Sequence, residues 1–77
     1  MHKGFILLNS DIGAEEYIIE ELKHMSDVKN AYLTFGAYDV IAEVQTQDQD
    51  TFEKTVGEIR KLSRVVSTMT LNVVNPE

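Results

Sequence analysis

The amino-acid sequence predicts an α+β sandwich, a four-stranded antiparallel sheet with two helices on one of its faces. Three observations predict it. Apolar residues switch between strand and helix periodicity in the order β-α-β-β-α-β. A crossover through a helix is right-handed, which places both helices on the same side of the sheet. The chain has 77 residues, enough for one small domain spanning 1–77 and no more.

The first strand is expected at about 2–9. Its "GFILL" run is continuously apolar and is bounded by the turn-like "NSDIG", the pattern of a central strand covered on both faces. Residues 14–25 follow as a helix. Ala14, Tyr17, Ile18, Leu22 and Met25 form one stripe at spacings of three and four, and glutamates fill most of the other face. Gly13 stands where an N-cap belongs, with Ile12 and Tyr17 at the two positions of a hydrophobic staple.

Residues 28–35 and 38–46 both alternate. Ala31, Leu33 and Phe35 share one face of the first segment. Val40, Ala42 and Val44 share one face of the second, with Asp39, Ile41, Glu43 and Gln45 on the other. Only Gly36 and Ala37 separate the two, which reads as an antiparallel hairpin. After the polar break "QTQDQD", Asp50 and Glu53 have the spacing of a capping box. The second helix is expected over "TFEKTVGEIRKLS", with Phe52, Val56, Ile59 and Leu62 as its stripe. Gly57 inside that helix costs about 1 kcal/mol relative to alanine, unless it permits a close approach by another element. The β-branched run 65–74 is the fourth strand, and Pro76 is expected to end the ordered chain. This order makes a split β-α-β, ferredoxin-like sandwich of the dimeric α/β barrel type.

Composition narrows the function. The chain contains no cysteine, so disulfides and cysteine metal sites are excluded. Its two histidines, His2 and His24, lack the spacing of a metal site, and no cofactor is expected. No apolar run approaches the ~18 residues of a membrane span, and no signal-peptide pattern opens the chain. A cytoplasmic protein is expected. Thirteen acidic residues against seven basic give a net charge of −6, a surface that repels phosphate backbones. Direct nucleic-acid binding is not expected.

The fourth strand raises the question of a partner. Val65, Ser67, Met69, Leu71 and Val73 alternate with Val66, Thr68, Thr70, Asn72 and Val74. Both sets contain apolar residues and neither is charged, whereas a sheet face left to water should read mostly charged. A chain this small is marginal alone. A second copy packed sheet to sheet is the expected support.

The run "LTFGAYDVIAEV", the helix ending "IRKL" and the closing "VVSTMTLNVV" resemble the effector-binding (RAM) domain of the leucine-responsive regulator (Lrp)/AsnC family from Phe5 to Val74. That domain carries a Gly-x-Tyr-Asp turn between its second and third strands, here Gly36-Ala37-Tyr38-Asp39. Its last strand carries a Val-x-x-Thr-x-Thr pattern, here Val65, Thr68 and Thr70. The resemblance implies a non-enzymatic domain that dimerises through its sheets and forms rings of dimers. It implies an amino-acid effector held in clefts between dimers by Gly36, Ala37, Tyr38, Asp39, Thr68 and Thr70. Family members mostly carry a polar residue where Ala37 stands, which bears on the identity of the ligand. The family fuses this domain to a helix-turn-helix. Here the first strand begins almost at Met1, so the chain is expected to be a stand-alone form that can pair with full-length regulators.

The chemistry of the six residues is coherent. A carboxylate accepts an ammonium group in a charge-assisted hydrogen bond. Backbone N–H groups and threonine hydroxyls can donate to the ligand's carboxylate, and glycine lets the backbone come close. Each residue also has an ordinary reading. Asp39 can cap its own turn, Tyr38 can pack at an interface, and threonine suits a strand. The glutamate-rich face of the first helix reads as solvated, and His24 complements the dipole at that helix's end.

Two other readings share the topology. An ACT-like amino-acid-binding domain would use the first turn, where Asp11 and Gly13 stand. A small dimeric α+β barrel enzyme of the monooxygenase kind needs a polar pocket on the sheet, for which Asn72 is the one candidate.

Overall fold

The computed structural model describes residues 1–74, so Pro76 lies outside the described residues. The elements run β1 (His2–Ser10), α1 (Glu15–Lys23), β2 (Val28–Leu33), β3 (Val40–Thr46), α2 (Gln49–Arg60) and β4 (Val65–Asn72). The sheet has the order β2-β3-β1-β4 with antiparallel neighbours throughout. This is the ferredoxin-like sandwich that the periodicity predicts.

The apolar run of β1 makes it a central strand. Ile6 lies opposite Ala42 on one side and Thr70 on the other. Its inward set, Ile6 and Leu8, joins Val40, Ala42 and Val44 of β3 under the helices. Ala14, Ile18 and Leu22 close the core from the first helical segment, and Phe52, Val56 and Ile59 close it from α2. Burial of β3 alternates strictly from Val40 to Thr46, the signature of a strand with one covered face. Gly4 has a packing reason. A Cβ there would lie 2.9 Å from Cε1 of the Phe52 ring and 2.7 Å from the Leu71 carbonyl oxygen.

Four local expectations are corrected. Helix α2 starts earlier than the Asp50–Glu53 spacing implies. Asp48 is its N-cap, extended in backbone, and its carboxylate accepts the Thr51 N–H at 2.8 Å. The Asp48 carbonyl also accepts the Thr46 hydroxyl at 2.6 Å, which ties the cap to the end of β3. The Thr51 hydrogen bond holds the Asp48 carboxyl below the usual carboxylate range. At α1, Ala14 rather than Gly13 occupies the N-cap, without a side-chain bond. Gly13 has φ +83°, and Ile12 beside it is 98% exposed, so the staple with Tyr17 does not form. The hairpin connection is longer than two residues, because Thr34 N–H bonds the Asp39 carbonyl at 2.8 Å. Phe35 therefore sits at the tip, fully exposed, instead of on the core face of β2. Finally, β4 ends at Asn72 rather than at residue 74.

Register assigns the two alternating sets of β4. Leu71 and Met69 lie opposite Phe5 and Leu7, on the face away from the helices. Asn72, Thr70 and Thr68 lie opposite Gly4, Ile6 and Leu8, on the helix side. The open face thus carries Phe5, Leu7, Tyr32, Ile41, Met69 and Leu71. Tyr32, Met69 and Leu71 are about half exposed, at 50%, 47% and 48%. One ion pair crosses this face: Lys3 Nζ lies 3.0 Å from Glu43 Oε2. Asn30 Nδ2 donates to Glu43 Oε1 at 2.7 Å. The Asn30 bond first, then Lys3, lowers the Glu43 carboxyl below its ordinary value.

Candidate functional site

The β2–β3 turn is the first candidate. Gly36 has φ +147°, which side chains disfavour, and a Cβ there would meet nothing within 4 Å. The backbone at Gly36 is therefore bare and approachable. The Thr34 hydroxyl donates to the Tyr38 carbonyl at 2.5 Å. Ala37, next to Gly36, is exposed at the tip.

Asp39 is anchored to β1 by two routes. Its N–H donates to the Leu8 carbonyl at 2.9 Å. Its Oδ2 accepts the Ser10 N–H at 2.9 Å and lies 3.4 Å from the Ser10 hydroxyl. The carboxylate thus satisfies a backbone donor where β1 leaves the sheet, as a turn-capping aspartate would, but for a strand 29 residues away. Oδ1 takes no hydrogen bond among the described residues, and the group is half-buried. One carboxylate oxygen builds the turn and the other remains able to accept from an ammonium group. The Tyr38 hydroxyl reaches Met69 Sδ at 3.7 Å, a long bond that lays the ring toward the open face.

Thr68 and Thr70 lie elsewhere. They stand on β4, on the helix side, whereas Tyr38 reaches the open face. Thr70 lines a cleft of about 320 Å³ with Gln49, Phe52, Glu53, Val56, Gly57, Arg60 and Asn72. Thr68 lines a smaller cleft of about 220 Å³ that shares Arg60. Within one chain the turn residues Gly36, Ala37, Tyr38 and Asp39 come together, and the two threonines do not join them. Sequence reasoning missed Ser10, whose pairing with Asp39 leaves no local signal.

The alternative sites are otherwise engaged. Asp11 Oδ2 accepts from Arg64 Nε at 3.2 Å. Asn72 Oδ1 is 3.0 Å from His2 Nε2. Among the described residues no group of three His, Asp or Glu side chains could hold a metal, and no helix is long and apolar enough to cross a membrane.

The chain is a ferredoxin-like sandwich with a bare glycine turn and an apolar open face, and the comparisons give its family. The model of the Lrp/AsnC ligand-binding domain matches residues 4–76. The chain belongs to that family of effector-binding regulatory domains. It is similar to the hypothetical protein PHS023 from Pyrococcus horikoshii, at 33% identity and TM-score 0.91, over 97% of this chain and 92% of that one. It is equally similar to FFRP-DM1, at 33% identity and TM-score 0.92, over 96% of this chain and 100% of that one. Longer proteins share the fold. Escherichia coli AsnC is 24% identical with a TM-score of 0.87, over 99% of this chain and 53% of that one. A transcriptional regulator from Neisseria meningitidis in complex with L-Met is 15% identical with a TM-score of 0.86, over 97% of this chain and 51% of that one. Among curated proteins none matches.

Proposed function

We propose that this chain is a cytoplasmic, non-catalytic sensor that pairs sheet to sheet with a second copy and holds a free amino acid at the Gly36–Asp39 turn, between subunits. The observation that carries the reading is the two-sided character of the sheet. Over β1 and β3 its helix face is buried under the two helices, while Tyr32, Met69 and Leu71 on the other face stay half exposed around Phe5, Leu7 and Ile41. Burying such a face gains roughly 25 cal/mol per Å², and an apolar patch of this kind marks an interaction surface. The separation of the threonines from the turn supports the same reading. A site that used all six residues would need a turn from one subunit and a β4 strand from another, as in a ring of dimers.

In the bound state the ligand's ammonium would rest on Asp39 Oδ1, and its carboxylate would accept N–H groups near the bare Gly36 backbone. The Neisseria meningitidis regulator in complex with L-Met makes a free amino acid the effector class to test. Occupancy would favour one assembly over another through differential affinity, and pairing with longer regulators of the family would carry the signal to DNA without nucleic-acid contact by this chain.

Asp39→Asn tests the site. The amide oxygen can still accept the Ser10 N–H, so the turn keeps its anchor while the charge is lost. Amino-acid binding measured by calorimetry should weaken by tenfold or more (a charge-assisted hydrogen bond contributes about 1.5–3 kcal/mol), with the thermal midpoint nearly unchanged. Undiminished affinity would leave Asp39 with its turn-capping role alone.

A further inference from the structure

Within the Gly36–Asp39 turn, Tyr38 takes a separate course. Gly36 and Ala37 stand exposed at the tip, and Asp39 is held at the end of β1 by Leu8 and Ser10. The Tyr38 hydroxyl instead donates to Met69 Sδ at 3.7 Å. Met69 belongs to β4, and β1 lies between β3 and β4 in the sheet. The ring therefore spans β1 on the open face. There Leu7 is flanked by Ile41 on one side and Met69 on the other.

The isolated chain gains little from that reach. The hydroxyl ends on a thioether, a weak acceptor, and Met69 itself is 47% exposed. An aromatic ring laid over an apolar face is worth far more when a second surface covers it. The backbone also ties the ring to the tip. The Thr34 N–H bonds the Asp39 carbonyl at 2.8 Å, and the Thr34 hydroxyl holds the Tyr38 carbonyl, so tip and tyrosine form one closed loop. Asp39 fixes the far end of that loop to β1. A displacement at Gly36 is thus passed to the Tyr38 ring rather than into β3.

We infer that Tyr38, seated on Met69, is the positioning residue that links the turn to the pairing of the sheets. Its ring packs between the two sheets, so the shape of the turn and the strength of pairing are set together. The inference rests on the sheet-to-sheet pairing proposed above and supplies the route by which occupancy of the turn reaches the assembly. By linkage the coupling has one magnitude in both directions: what a ligand at the turn does to pairing, pairing does to the affinity of the turn. The link is present without ligand, so the bare chain can test it.

The test is a double-mutant cycle on the dimerisation constant, measured by sedimentation equilibrium over a dilution series, with circular dichroism to check folding. Tyr38→Ala should weaken pairing roughly tenfold or more, as truncating an aromatic anchor does. Tyr38→Phe keeps the ring and should keep most of the pairing. Gly36→Ala strains the tip, where φ is +147°, while its Cβ meets nothing within 4 Å. It should change the constant by at least about twofold in the parent chain and leave it unchanged in the Tyr38→Ala background. The inference is overturned if Tyr38→Ala pairs as tightly as the parent, or if Gly36→Ala has the same effect, or none, in both backgrounds. Either result leaves the paired sheets standing. A parent chain that never dimerises overturns the pairing itself, and this link with it.

Discussion

Substituting Gly4 by alanine adds one methyl group at the tightest place in the fold. The new Cβ would lie 2.9 Å from Phe52 Cε1 and 2.7 Å from the Leu71 carbonyl oxygen, where ordinary contacts are about 3.5–4 Å. Neither neighbour yields easily. The Phe52 ring is only 2% exposed and is backed by the His2 ring at 4.5 Å between centroids. The Leu71 carbonyl belongs to a strand paired with β1. Overpacking of this kind costs about 1–3 kcal/mol. Alanine recovers roughly 0.5–1 kcal/mol of backbone entropy relative to glycine in a strand. Both contacts fall under 3.0 Å, which puts the overpacking cost at the upper end of its range, so the net loss is about 2–2.5 kcal/mol, a fall of roughly 8–20 °C in thermal midpoint for a domain this small. Urea and thermal unfolding of Gly4→Ala against the parent chain measure it. A variant as stable as the parent would refute the claim that Phe52 and β4 close on Gly4.

Gly57→Ala should move stability the other way, raising it by about 1 kcal/mol, because its Cβ enters open space; a thermal melt that shows a loss would mean that α2 packs more tightly there. Leu71→Asp should leave the chain folded by circular dichroism yet drive it to monomers in size-exclusion chromatography, since Leu71 is half exposed on the open face. The carboxyls of Asp48 and Glu43 lie below their ordinary values in the folded chain, so their stabilisation is full above about pH 5 and is lost as pH falls below about 4. The midpoint should therefore drop in acid, and the drop should shrink in a Glu43→Gln, Asp48→Asn double variant; an equal drop would assign acid sensitivity to other groups.

Elements were legible in the sequence wherever a local period decides them. The run 4–8, the alternation of 40–46 and the stripe Phe52, Val56 and Ile59 each mark one buried face, and the core uses those faces. The cap of α2 was not legible in the same way. The capping-box spacing pointed to Asp50, but the cap is Asp48, which the Thr46 bond ties to the end of β3. Phe35 was misplaced because alternation says where a strand could continue and not where the hairpin closes, which the Thr34–Asp39 bond sets. For the site, the turn Gly36–Asp39 was visible as a motif. Its tether at Ser10, and the face on which Thr68 and Thr70 stand, depend on pairing with β1, and no local pattern encodes that register.

The central claim is that the open sheet face pairs with a second copy and that an amino acid biases the assembly. Sedimentation velocity at micromolar concentration, with and without each L-amino acid, tests it most directly. The account predicts a dimer or larger species in the absence of ligand and a shift in the distribution with at least one amino acid. A chain that sediments as a monomer under every condition would contradict it, because the half-exposed Tyr32, Met69 and Leu71 would then face water and a site between subunits could not form.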